Sequence, residues 1–150
     1  MKTLSRTNFF LAVASAATLL IGVASVALYL KAFPPYFRGW GEVTTDRKVA
    51  GWAINQSAPS ERVEVQLYID GRFISGGIAD IPRPDVVMAG WTRDEHCGYS
   101  FDIPTLTAGY HDARVFALHK VGTGDYQTLQ LSGDPLRFRV EENGGIRALK

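Results

Sequence analysis

Residues 63–71 read Val-Glu-Val-Gln-Leu-Tyr-Ile-Asp-Gly, and the fold class follows from this stretch. Val63, Val65, Leu67 and Ile69 alternate with Glu64, Gln66 and Tyr68. Side chains on a strand point to opposite faces in turn, so this is a strand with one face in a core. Asp70-Gly71 follows at once, and Arg72 to Ala79 resumes with Phe73 and Ile74. Asp-Gly between two such runs predicts a hairpin, because a type I′ turn needs positive φ at both central residues.

The same period recurs on both sides of this hairpin. Lys48 to Ile54 reads as a strand, with a short one at Gly41 to Thr44 before it. Tyr99 to Ile103 places Tyr99, Phe101 and Ile103 on one face, and Pro104 ends it. His111 to Val121 is the longest candidate and is apolar on both faces, which suits a central strand. Gly122-Thr123-Gly124-Asp125 turns the chain, and Thr128 to Leu131 and Leu136 to Val140 alternate again. Seven or eight short strands with turns every 8–12 residues predict an all-β antiparallel sandwich of the immunoglobulin-like kind. The long stretch Ile81 to Cys97 interrupts the strands, and Pro84 can open a single helical turn there through Met88.

The N-terminus follows another rule. Phe9 to Leu30 carries no charge, and 18 of its 22 residues are apolar. As a helix it would be about 33 Å long, enough for a hydrocarbon core of about 30 Å. Tyr29, Phe33, Tyr36, Phe37 and Trp40 follow as an interfacial aromatic belt, and Pro34-Pro35 stops the helix. The competing reading is a cleaved signal peptide, with Ser25-Val26-Ala27 as its small-x-small site. The apolar run continues through Leu28-Tyr29-Leu30 and favours a retained single-pass anchor. Lys2 and Arg6 favour a cytoplasmic tail and an outward domain, whereas Lys31, Arg38, Arg47 and Lys48 oppose it. We expect a cytoplasmic tail at 1–8, a membrane helix at 9–30 and a linker at 31–39. The β domain should cover 40–140, with a frayed tail at 141–150.

Charge divides along the same line. Residues 1–38 hold four basic residues and no acid; residues 39–150 hold 12 basic and 15 acidic ones. A mildly acidic domain without clustered Lys and Arg is no nucleic-acid surface. One cysteine excludes an internal disulfide framework and a multi-cysteine zinc site.

Asp94-Glu95-His96-Cys97 is the only dense polar cluster. A nucleophilic cysteine needs a base beside it, yet adjacent residues on an extended chain point to opposite faces. A hydrolase using Cys97 or a histidine is therefore the weakest reading. His96, Cys97, His111 and His119 lack zinc-ligand spacing, and the acids form no calcium loop. We expect no catalytic residue, metal or cofactor.

Binding residues are easier to name. Trp91, Tyr99, Tyr110 and Tyr126 lie in loops or at strand ends, where an exposed aromatic ring can anchor a protein or stack on a sugar; packing is the alternative for each. Arg83 and Asp85 flank Pro84 as a ligand site or a loop tether, and Trp52 reads as a core plug. Asn55-Gln56-Ser57 matches a glycosylation sequon.

Gly51-Trp52-Ala53, the hairpin ending at Gly71, Ala79-Asp80, Arg83-Pro84-Asp85-Val86, Gly98-Tyr99-Ser100-Phe101, Ile103-Pro104 and Gly109-Tyr110-His111 occur in that order. Together they resemble an immunoglobulin-like β-sandwich module of bacterial surface and secreted proteins, often attached to glycosyltransferases and other carbohydrate-active or envelope proteins. The likeness covers about residues 40–140. It departs at Tyr99, where phenylalanine is usual, and at Asn55-Gln56-Ser57, where an Asp-Pro turn is common. The resemblance implies a non-catalytic accessory module. The expected function is a membrane-anchored binding module for an envelope protein or glycan. The alternative is a small subunit that docks in a membrane complex through its helix, where Ser15, Ala16, Ala17, Gly22 and Ser25 permit close packing.

Overall fold

The computed structural model describes residues 6–32, 37–121, 125–131 and 133–149. It divides into two compact units, Met1–Pro35 and Tyr36–Lys150. The first holds helix α1, Arg6–Ala32, whose apolar span Asn8–Leu28 is long enough to cross a membrane. Its side chains from Asn8 to Leu28 are exposed all round, as expected of a helix with no polar face. The prolines read as its stop, Phe33 and Tyr36 of the aromatic belt, and the turn at 122–124 lie outside the described residues.

The second unit is mostly β. Its strands are β1 (Phe37–Val43), β2 (Lys48–Asn55), β3 (Glu64–Ile69), β4 (Arg72–Ile78), β5 (Ile81–Pro82), β6 (His96–Asp102), β7 (Gly109–Val121), β8 (Asp125–Gln130), β9 (Leu136–Val140) and β10 (Ile146–Ala148). The one-turn helix α2 is Pro84–Met88, opened by its proline as the sequence predicts. Two antiparallel sheets form. One has the order β1-β2-β6-β5; the other runs β10-β9-β7-β3-β4, with β8 also on β7.

The alternation of β3 decides which face is buried. Val65, Leu67 and Ile69 are sealed, while Glu64 is exposed and Gln66 and Tyr68 are half-buried. Asp70 and Gly71 have φ of 50° and 74°, the left-handed pair that a type I′ turn demands. Val49, Ala53, Tyr99 and Phe101 of the four-stranded sheet join Leu67, Val115 and Phe138 of the other in a single core.

Strand β7 is central to its sheet. On one side it pairs with β3; on the other, its first half pairs with β9 and its second half with β8. Phe116 faces Gln130 and Ala113 faces Leu136, so three steps on β7 match six on the returning chain. At the start of this excess the Leu131 N–H donates to the Val115 carbonyl (2.9 Å).

Several boundaries differ from the sequence reading. Strand β1 starts at Phe37, not after residue 39, because Phe37 and Arg38 pair with Asn55 and Ile54. The segment read as a frayed tail contains β10, which pairs Ile146 with Val140. A turn with Gly144 at φ 79° returns the chain, and the Arg47 guanidinium donates to the carbonyls of Gly144 (2.7 Å) and Pro104 (2.9 Å). Three residues are too few to show a period, and the pairing with β9 and the Arg47 tether that order them are tertiary. The two-residue strand β5 is missed for the same reason.

Candidate functional site

Glycine sets the geometry of the four-stranded sheet. Gly41 faces Gly51, and Gly51 faces Tyr99 in the register of β1, β2 and β6. A Cβ on either glycine would meet the Tyr99 hydroxyl, so both lie under its ring on the core side. Tyr99 is 3% exposed, and its hydroxyl donates to the Trp40 carbonyl at 3.0 Å. Burial pushes its pKa well above the usual phenol range. The reading of Tyr99 as a binding aromatic is thereby corrected: it is core.

With the glycines inward, period 2 turns Trp40 and Trp52 outward, facing each other in register. Trp52 is a half-buried residue of the outer face rather than a plug of the central core. Its ring stacks on Trp91 (centroids 6.4 Å, 22°), and the Arg38 guanidinium lies 3.9 Å from the Trp91 ring centroid. Arg38, Trp40 and Trp52 thus join the predicted Trp91. All three tryptophans of the chain are on this one face. The alternation Val49-Gly51-Ala53 carried the signal that Trp52 points out, but it takes Tyr99 to show why the glycine row is the inner one.

Helix α2 positions Trp91. Val86 is buried with Ile54 and Cys97 under Trp52, Gly90 takes φ 78°, and the Trp91 N–H donates to the Val86 carbonyl at 3.2 Å. Arg83 locks the entry: its stem crosses Gly98, where a Cβ would meet the Arg83 Cγ. Its guanidinium donates twice to Asp85 (2.8 and 2.6 Å), which holds the Asp85 carboxyl below the usual range. The Arg83 N–H donates to the Glu95 carbonyl at 2.7 Å. This pair tethers the loop that carries Trp91. Beside it runs an open groove of about 750 Å³, lined by Ile54, Gln56, Pro59, Val87 and Trp91.

The polar cluster also holds the loop. Arg62 bridges Asp80 (2.8 Å) and Asp94 (2.6 Å), and His96 Nδ1 lies 3.0 Å from the Asp80 carbonyl. Cys97 is 4% exposed beneath α2, where burial pushes the thiol up. Among the described residues, no three His, Cys, Asp or Glu converge as metal ligands. Asn55 of the sequon is buried, and its side-chain carbonyl accepts from the Ser57 N–H at 3.0 Å.

The other predicted aromatics lie apart. Tyr110, 73% exposed, has the Arg139 guanidinium 5.4 Å from its ring. Tyr126 is exposed and pairs with Lys120. That is ten residues along β7 from Tyr110, or about 33 Å at strand rise. Between sheet and turn, His111 bonds Asp70 through Nδ1 (2.6 Å) and the Thr107 carbonyl through Nε2 (2.9 Å). Both nitrogens face acceptors, so the charged imidazolium is favoured; the bond to Asp70 raises the His111 pKa.

Comparison with protein families, with curated proteins and with solved structures finds no match to this chain.

Proposed function

We propose that the chain is a membrane-anchored, outward-facing, non-enzymatic binding module of immunoglobulin-like topology, and that the tryptophan face is its contact surface. Strand order supports the topology. β1-β2-β6-β5 and β9-β7-β3-β4 follow the connectivity of strands ABED and GFCC′ of an immunoglobulin sandwich. Helix α1 supports the anchor, and Lys2 and Arg6 favour an inward N-terminus, against Lys31, Arg38, Arg47 and Lys48 on the other side.

One observation carries the contact surface. Trp40 and Trp91 are 47% and 44% exposed, with Arg38 against the Trp91 ring and the exposed Met88 on the helix that precedes Trp91. Trp, Met and Arg are the residues enriched where proteins meet, and Trp and Arg are the usual energetic anchors. An envelope protein is the partner this composition favours. Affinity capture from solubilised membranes tests it. Trp40→Ala and Trp91→Ala should each weaken capture about 30-fold or more, the loss of one anchor of about 2 kcal/mol or more. Capture unchanged in both variants refutes the surface; a captured component that resists protease but not glycosidase makes the partner a glycan.

A further inference from the structure

We propose that the open edge of β4 pairs with β4 of a second copy of the chain, antiparallel about a two-fold axis at Gly77. This edge belongs to the other sheet from the tryptophan face and is independent of it. β4 ends the six-stranded sheet, and β3 is its one strand neighbour among the described residues. An uncovered edge is a template for another strand, and proteins blunt such edges with charge, proline or shortness. β1 carries Arg38 and Glu42, β5 has two residues and a proline, and β10 has three with Arg147. β4 has seven residues, and Phe73 to Ile78 contains neither charge nor proline. Its bulge, at Ile74, lies outside the regular register of Gly76, Gly77 and Ile78.

Backbone direction fixes the register. The Ala79 N–H donates to the Val63 carbonyl at 2.8 Å. Alternation along an antiparallel ladder then turns the N–H and carbonyl of Gly77 toward β3, and those of Gly76 and Ile78 toward the open edge. A two-fold axis at Gly77 sets Gly76 of each copy opposite Ile78 of the other, and each of these pairs exchanges two hydrogen bonds. Side chains fit the same register. Ile78 and Phe73 are both exposed. A Cβ at Gly76 would have the Gln66 Cγ at 3.5 Å and the Phe73 Cζ at 3.7 Å, both ordinary contacts, and Gly76 takes no positive φ. Nothing in its own chain therefore requires glycine at 76. A second copy does, because its Ile78 fills the space beside Phe73. Charge agrees at the ends: antiparallel pairing sets Arg72 of one copy toward Asp80 of the other, whereas parallel pairing would set like charges together.

Sedimentation equilibrium of the full chain in density-matched detergent should show monomer and dimer in exchange. Ile78→Lys, with an unchanged circular dichroism spectrum, should raise the dissociation constant about 10-fold or more, because a lysine then enters each of the two Gly76–Ile78 pairs. Trp40→Ala should leave the dimer intact. Register is read independently of these variants. In a Cys97→Ser background, Gly77→Cys should form a disulfide-linked dimer on mild oxidation, since Cα atoms of a directly opposed, non-hydrogen-bonded pair lie about 4.5 Å apart, within disulfide reach. Ser75→Cys should not, because its two copies lie about 13 Å apart along the strands. A chain that is monomeric at every concentration overturns the proposal. So does equal cross-linking at 75 and 77, or a dimer that Ile78→Lys leaves intact. A dimer lost in Trp40→Ala but kept in Ile78→Lys moves self-association to the tryptophan face. A monomer whose partner capture is lost in Ile78→Lys overturns the proposal in favour of a strand from another protein.

Discussion

Gly41→Ala should destabilise the domain, and Tyr99→Phe should rescue it. The only close neighbour of a Cβ at Gly41 is the Tyr99 hydroxyl; the next are Leu136 Cδ1 at 3.5 Å and the Ala50 carbonyl at 3.6 Å, both at ordinary contact. Forcing a methyl against a sealed ring costs about 2 kcal/mol. Tyr99→Phe alone loses the bond to the Trp40 carbonyl, about 1 kcal/mol. Additive effects would total about 3 kcal/mol. The double variant should lose only about 1 kcal/mol, because removing the hydroxyl opens the space that the methyl fills. In thermal unfolding at about 4 °C per kcal/mol, the losses become about 8 °C for Gly41→Ala, 4 °C for Tyr99→Phe and 4 °C for both. Tryptophan emission of the full chain in detergent reports this transition, because Trp40 and Trp52 lie on the sheet concerned and Trp91 stacks on Trp52. Gly51→Ala is the control. The Trp40 carbonyl obstructs a Cβ there as well as Tyr99, so Tyr99→Phe should not rescue it. An additive double variant, or equal rescue of Gly51→Ala, would show that the glycines do not accommodate the tyrosine.

Three further outcomes are expected. The His111 pKa is raised by Asp70, so its contribution is complete below about 6.5 and is lost as pH rises through the folded value. Partial burial works against ionisation of Asp70, but bonds from His111 and the Asp112 N–H lower its pKa. Its contribution is present above about 3.9 and is lost as pH falls through the folded value. Urea midpoints should therefore drop on both sides of neutrality, and His111→Gln should flatten the alkaline limb; an unaltered limb counts against the pair. Cys97 should resist iodoacetamide in the native chain at neutral pH and react once urea unfolds the domain, as followed by mass; fast native labelling contradicts its burial. Replacing Phe9–Leu30 with a generic leucine-rich span should leave partner capture intact, and its loss would favour docking through the helix.

Local rules made much of the fold legible. The period of β3, the Asp70-Gly71 turn and Pro84 at the start of α2 each depend on residues within a few positions, so the sequence shows them directly. The helix is legible because lipid imposes a length and a polarity on any segment that crosses it. The binding residues were less legible. Arg83 and Asp85 pair to tether the loop of Trp91, whereas Tyr99 is core and Tyr110 and Tyr126 stand about 33 Å apart on the other sheet.

The sequence by itself determined the β class, the hairpin, the apolar helix and the charge division, all set by period, turn chemistry and composition. Tertiary structure decided which row of β2 faces inward. An alternating strand offers two faces, and either Trp52 or Gly51 could have turned to the core. The choice depends on Tyr99, 48 residues away, whose ring fits over the glycine row and so places Trp40 and Trp52 on the outside.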